Sequence, residues 1–221
     1  MSLQKAKWMV LLLSVAGLSH CADTLTTSEG YPGKPPGAGG KKESSTKHLG
    51  GGLYETQIDA TSYTAWSYFD FETQSEIAVT DPLSSSTWDI AFQRFKIKVN
   101  GGGVTGNANG AVVPINGDNF SARTSAPNPF TPALVDVTDA GDANDACRPT
   151  TDNVKYAFLD STQVPNACWF SYSSGVLTPR NIVYVVRTAT PKYYKVKLIG
   201  YYSETGTSGH PKFQWAEVAA P

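Results

Sequence analysis

The stretch WDIAFQRFKIKVN, residues 88–100, decides the fold, and the glycine-rich run GGGVTGNANG follows it at once over residues 101–110. Trp88, Ile90 and Phe92 fall on one side of an extended segment, and Phe95, Ile97 and Val99 resume the alternation against Arg94, Lys96 and Lys98. Side chains on a strand point to opposite faces with a period of two, so the pattern predicts one long strand buried on one face. Near Gln93 the phase changes, as it does at a bulge or bend. A long aromatic strand needs partners, and its neighbours in sequence supply them.

Working outward, LYETQID (53–59) alternates as a half-buried strand, and WSYFDFE (66–72) is aromatic enough to favour one. Residues 76–80 make another, ended by Asp81-Pro82. After the glycine run, residues 111–115 are expected to return antiparallel beside the 88–100 strand. From 116 to 163 the signal weakens: Pro127, Pro129, Pro132 and an Asp-rich run mark long loops, with short strands expected at 134–137 and 155–159. Long irregular connections in a compact domain are often where function sits. NIVYVVRT (181–188) and YYKVKLIGYY (193–202) are β-branched and aromatic strands joined across 189–192, and residues 213–218 close the set. No helical periodicity of useful length is present. The expected class is all-β, a single mostly antiparallel domain over residues 53–221.

The N-terminal residues stand apart from this domain. Lys5 and Lys7 precede an apolar run over residues 8–18, too short for a membrane span, and Leu-Ser-His-Cys follows at 18–21. This is the order of a secretory signal peptide, assigned to residues 1–20. The ending resembles a bacterial lipobox, with Cys21 as the lipidated first mature residue, although His20 stands where Gly, Ala or Ser is usual. The alternative is an ordinary signal peptide with an incidental cysteine. Acyl chains add about 0.8 kcal/mol of membrane affinity per buried methylene, so multiple acylation makes a stable anchor. Residues 21–52, rich in Gly, Pro, Ser and Lys, read as a tether too poor in apolar side chains to offset its ordering entropy.

Losing Lys5 and Lys7 moves the formal charge from −1 to −3, and the domain has no basic tract that would suit nucleic acid. Cys147 and Cys168 remain after Cys21, and in an exported protein such a pair predicts a disulfide. Closing a loop of about twenty residues stabilises by roughly 3 kcal/mol in the chain-entropy model.

Several strings imitate chemistry. Gly101, Gly103 and Gly106 satisfy the dinucleotide fingerprint, but no helix follows to present amides to a pyrophosphate, so a flexible strand connection is the reading. Ser208 and His210 lie in GTSGH, which is not a nucleophile elbow and reads as a turn. Asp136, Asp139, Asp142, Asn144 and Asp145 are oxygen-rich, yet miss the EF-hand spacing; solvated loop acids are expected there, with calcium as the alternative. The mature chain keeps only His48 and His210 and no Met, so a Cys/His zinc site lacks ligands.

A lipoprotein signal, the WDIAFQRF strand, the Asn-Gly-Gly-rich loop and the VYVVRT…PKYYKVKLIGYYS block together resemble the HmuY family of cell-surface, haem-capturing lipoproteins of diderm bacteria. The resemblance spans essentially the whole domain and is strongest over 87–115 and 182–202. It implies a hand-like all-β fold that grips haem between loops and delivers it to an outer-membrane receptor. It also implies two axial histidines or methionines, one in a loop after the glycine-rich segment and one just before the VYVVRT strand. This chain departs there: residues 118–160 contain neither His nor Met, and CWFSYSSG (168–175) offers Tyr172 near the second place. Tyrosine can ligate ferric haem. One expectation is therefore a site at Tyr172 with Trp169 and Phe170 covering the porphyrin; the other is that Tyr172 is an ordinary aromatic at a strand end.

The first functional reading is a lipid-anchored binding protein of the HmuY type with haem as cargo, at the outer membrane or cell surface, with the periplasmic face left open. The second keeps the scaffold but binds a protein or glycan through residues 101–150, without haem. An enzyme is the least supported, because no nucleophile–base pair or carboxylate dyad can be assembled from the sequence.

Overall fold

The computed structural model describes residues 44–138, 154–159 and 168–221, which fall within one compact unit, Pro32–Pro221. Among the described residues there are strands and turns but no helix. The residues expected to form a signal peptide (1–20), Cys21, Cys147 and the acids at 139–145 lie outside them.

Residues 88–100 do not form one long strand. They fold into a hairpin of β5 (Ile90–Gln93) and β6 (Lys96–Val99), paired antiparallel with Gln93 opposite Lys96. What looked like a change of phase is a reversal of direction. Arg94 takes the left-handed conformation (φ 54°), and its guanidinium holds the turn by donating to the Ser208 carbonyl (3.1 Å) and hydroxyl (2.6 Å). Those contacts offset the steric cost of a non-glycine residue at positive φ.

β3 (Ser67–Asp70) and β4 (Ser75–Ile77) complete a four-stranded sheet in the order β4-β3-β5-β6. The larger sheet contains β1 (Ser45–Gly50), β2 (Leu53–Gln57), β7 (Ala111–Asn116), β12 (Ile182–Arg187), β13 (Tyr193–Tyr202) and β14 (Ser208–Val218). Its order is β1-β2-β14-β13-β12-β7. Two small antiparallel strand pairs stand outside both sheets: β8 (Val137–Thr138) with β9 (Val154–Lys155), and the hairpin of β10 (Phe170–Ser173) with β11 (Val176–Pro179).

β7 pairs with β12, not with β6 as its position suggests, because the glycine run carries the chain from one sheet to the other. This run is a packed crossing rather than a flexible connection. A Cβ on Gly101 would lie 1.9 Å from the Gly110 carbonyl oxygen, and one on Gly110 would lie 2.5 Å from that of Asn100. Backbone runs against backbone, and only glycine leaves room.

The core lies between the sheets. Phe92 stacks on Phe213 (5.3 Å), Phe71 on Tyr194 (4.6 Å), and Phe69 meets Trp215 edge-on (5.9 Å). Rings buried this completely contribute about 1.5–3 kcal/mol each through area removed from water.

Other boundaries also moved. The stretch assigned to the tether ends inside the fold: β1 pairs with β2 through a turn at Gly50, Gly51 and Gly52, all at positive φ. Its side chains are mostly exposed, so composition gave no sign of a strand. β14 begins at Ser208, and His210, expected in a turn, is a buried residue of that strand. The β10–β11 hairpin is Ser-rich and exposed, and it too escaped the hydrophobic pattern.

Candidate functional site

The β10–β11 hairpin presents the residue that sequence reasoning singled out. Tyr172 is 60% exposed, the most exposed of the large apolar and aromatic side chains among the described residues. Ser174 and Gly175, both at positive φ, make the tight two-residue turn that suits the twist of paired strands. The strand opposite Tyr172 is anchored, since the Leu177 N–H donates to the Tyr202 hydroxyl (2.9 Å) and Leu177 is buried. The structure therefore holds the Tyr172 ring on a short, anchored finger.

Trp169 and Phe170 are placed differently. Trp169 has no exposed surface, and its indole N–H donates to the Phe95 carbonyl (2.9 Å). Phe170 is buried against Trp169 and against the edge of Phe95. Both belong to the floor under the hairpin, so the three rings do not share one open face. Cys168, at the start of this segment, is fully buried with its Sγ 3.3 Å from the Phe170 carbonyl oxygen.

A second group of residues frames the loops around the glycine run. Asp136 was expected to be a solvated acid, yet it is fully buried. Its carboxylate accepts from the backbone N–H of Val99 (3.0 Å) and of Ala157 (2.8 Å), and from the Thr105 hydroxyl. One side chain thus ties together the end of β6, the glycine run and the segment after β9. Asp89 works alike between the sheets, accepting from Phe71 N–H (3.0 Å) and from Ala189 N–H (3.1 Å) in the turn between β12 and β13. Burial pushes both carboxyls up to about 7 against the pull of these donors. The Lys98 ammonium lies over the rings of Trp66 (4.4 Å), Tyr68 (4.8 Å) and Trp88 (5.1 Å), and burial lowers it to about 8, opposed by Asp136. Only the buried, hydrogen-bonded state of Asp89 and Asp136 reveals these roles; nothing in their sequence neighbourhoods distinguishes them from surface acids.

Behind the larger sheet, an open cleft of about 440 Å³ lies beside the loop that leaves β7, lined by residues 117–121 with Asn181, Lys197 and Gln214. Lys197 and Gln214 are opposite one another on β13 and β14. Among the described residues, no cluster of His, Cys, Asp and Glu could hold a metal ion. Tyr172 is of a residue type that can reach ferric iron, and its exposure fits contact with a flat porphyrin; the buried Trp169 and Phe170 do not fit a covering role.

The sequence model of the HmuY protein family matches residues 62–215. Among solved structures, a protein of Bacteroides vulgatus named as HmuY-like and haem-binding is 26% identical, with 75% of this chain and 91% of that one covered and a TM-score of 0.50. The apo HmuY analogue of Tannerella forsythia is 19% identical over 80% of this chain and 97% of its own, with a TM-score of 0.52. Apo PinO of Porphyromonas gingivitis is 16% identical over 75% and 97%, with a TM-score of 0.50. The last two likenesses speak to the fold alone. No curated protein matches the sequence significantly. The all-β architecture expected from residues 88–115 and 181–218 is thus present in the described residues and in these structures, and the match over 62–215 settles membership: the chain belongs to the HmuY family.

Proposed function

We propose that this HmuY-family binding protein is a lipid-anchored surface protein that captures haem, with Tyr172 as the side chain that meets the iron. The observation that carries this reading is the 60% exposure of Tyr172 on an anchored hairpin, near the place where the resemblance puts a ligand. A phenolate oxygen binds ferric haem and gives little to the ferrous form, so capture would favour the oxidised cargo. Cys21, carrying the acyl chains, would hold the protein at the membrane, and an outer-membrane receptor would take the haem onward. A disulfide between Cys147 and Cys168 belongs to the same reading, and its support is the export signal together with the burial of Cys168.

Titrating hemin into the full chain tests the cargo. The expected result is saturable binding with a Soret band that collapses in Tyr172→Phe while the protein stays folded. An unchanged Soret band in that variant removes Tyr172 from the assignment. Absence of any binding favours the second reading, a HmuY scaffold turned to another partner.

A further inference from the structure

We propose that the cleft behind the larger sheet is a saccharide-binding site, separate from the hairpin and independent of whether the chain binds haem. Its wall is a loop tied down by hydrogen bonds. The Lys195 ammonium, on a largely buried side chain, donates to the carbonyls of Phe120 (2.9 Å) and Arg123 (2.8 Å). Arg123 in turn pairs with Asp118 at 2.6 Å, and the Asn119 side chain accepts from Ser121 N–H (3.1 Å). Gly117 N–H donates to the Asn181 carbonyl (3.2 Å), joining the loop to the start of β12. A site ordered before the ligand arrives loses little entropy on binding.

The lining chooses the class of ligand. Asp118 offers a carboxylate, Lys197 an ammonium, and Asn119, Ser121, Asn181 and Gln214 offer groups that both donate and accept. Lys197 Nζ donates to Asn181 Oδ1 (2.7 Å), and Gln214 Nε2 donates to Glu55 Oε2 (3.2 Å). Arg123 neutralises Asp118, so a simple cation would face the Lys197 ammonium, and a simple anion would leave the Gln214 carbonyl without a donor. A sugar, whose hydroxyls donate and accept at every position, can satisfy the mixture. The cleft, at about 440 Å³, falls in the range of small-ligand sites, roughly 300–1,000 Å³.

Saturation-transfer NMR on the full chain with galactose, N-acetylglucosamine or N-acetylneuraminic acid, each at about 10 mM, would detect a Kd of about 1 mM or tighter. Sulfate and putrescine serve as competitors. The expected result is transfer to at least one sugar, at least fivefold weaker affinity in the Asn181→Ala and Lys197→Met variants, and no displacement by either competitor. No transfer from any sugar overturns the proposal, as does equal transfer in both variants or full displacement by sulfate or putrescine. Hemin titration of the same variants should be unchanged, which separates failure here from failure of the haem reading.

Discussion

The β5–β6 hairpin and the β10–β11 hairpin are built alike and used oppositely. In the first, all residues of β5 are buried, and the flanking polar groups are spent on the fold. Trp88 donates its indole N–H to the Pro82 carbonyl (3.1 Å), Asp89 ties the sheets, and Asn100 Nδ2 donates to the carbonyls of Ser85 and Trp88 (2.8 Å each). In the second, Phe170 and Leu177 reach the core, while Tyr172, Ser173, Ser174, Gly175 and Val176 face outward. The residues that carry the family resemblance are therefore those that hold the scaffold. The outward-facing residues of the second hairpin leave little trace in the pattern.

The sharpest way to break this contrast is to remove a clasp. Asp136→Ala leaves the buried N–H groups of Val99 and Ala157 without their acceptor, and a loss of about 2–4 kcal/mol is expected in urea unfolding. Asp89→Ala should cost a similar amount by exposing the same weakness between the sheets. A loss below about 0.5 kcal/mol in either would contradict the structural role. Gly110→Ala comes next, since its Cβ would meet the Asn100 backbone, and a loss of about 2 kcal/mol or more is expected from forced backbone movement.

pH gives a further handle on the first region. Asp89 and Asp136 titrate at about 7 in the fold, above the ordinary carboxylate value of about 3.9. The folded state then binds more protons than the unfolded chain between about pH 4 and 7, so their contribution to stability falls as pH rises through that window. The unfolding midpoint should rise on acidification from pH 8 to about 5, and the slope should flatten in Asp89→Asn. A slope unchanged in Asp89→Asn would contradict the assignment of this pH dependence to Asp89.

The smallest effect on stability is expected in the second region. Tyr172→Phe should change unfolding by no more than about 0.5 kcal/mol, because the side chain is mostly in water. Its effect should appear in hemin binding instead, measured by absorbance on the same samples.

How much was legible follows from the same physics. The strand pairs 181–188 and 193–202 could be read because they alternate or run apolar without interruption, and β12 and β13 occupy nearly those bounds. The reversal at Arg94 could not, because its turn is held by Ser208, 114 residues away in sequence, instead of by a glycine or proline. β1 and β10 stayed hidden because their side chains are largely exposed and polar, so backbone pairing alone defines them. Tyr172 is singled out by the resemblance alone, whereas the burial of Trp169 and Phe170 is a tertiary fact that aromatic content cannot supply.

Hydrogen–deuterium exchange of the full chain, with and without hemin, tests the division of labour most directly. Amides of 88–100 should be strongly protected in both states, and hemin should add protection chiefly over 170–179. Protection gained over 88–110 with none at 170–179 would place the cargo against the scaffold strands and contradict the account.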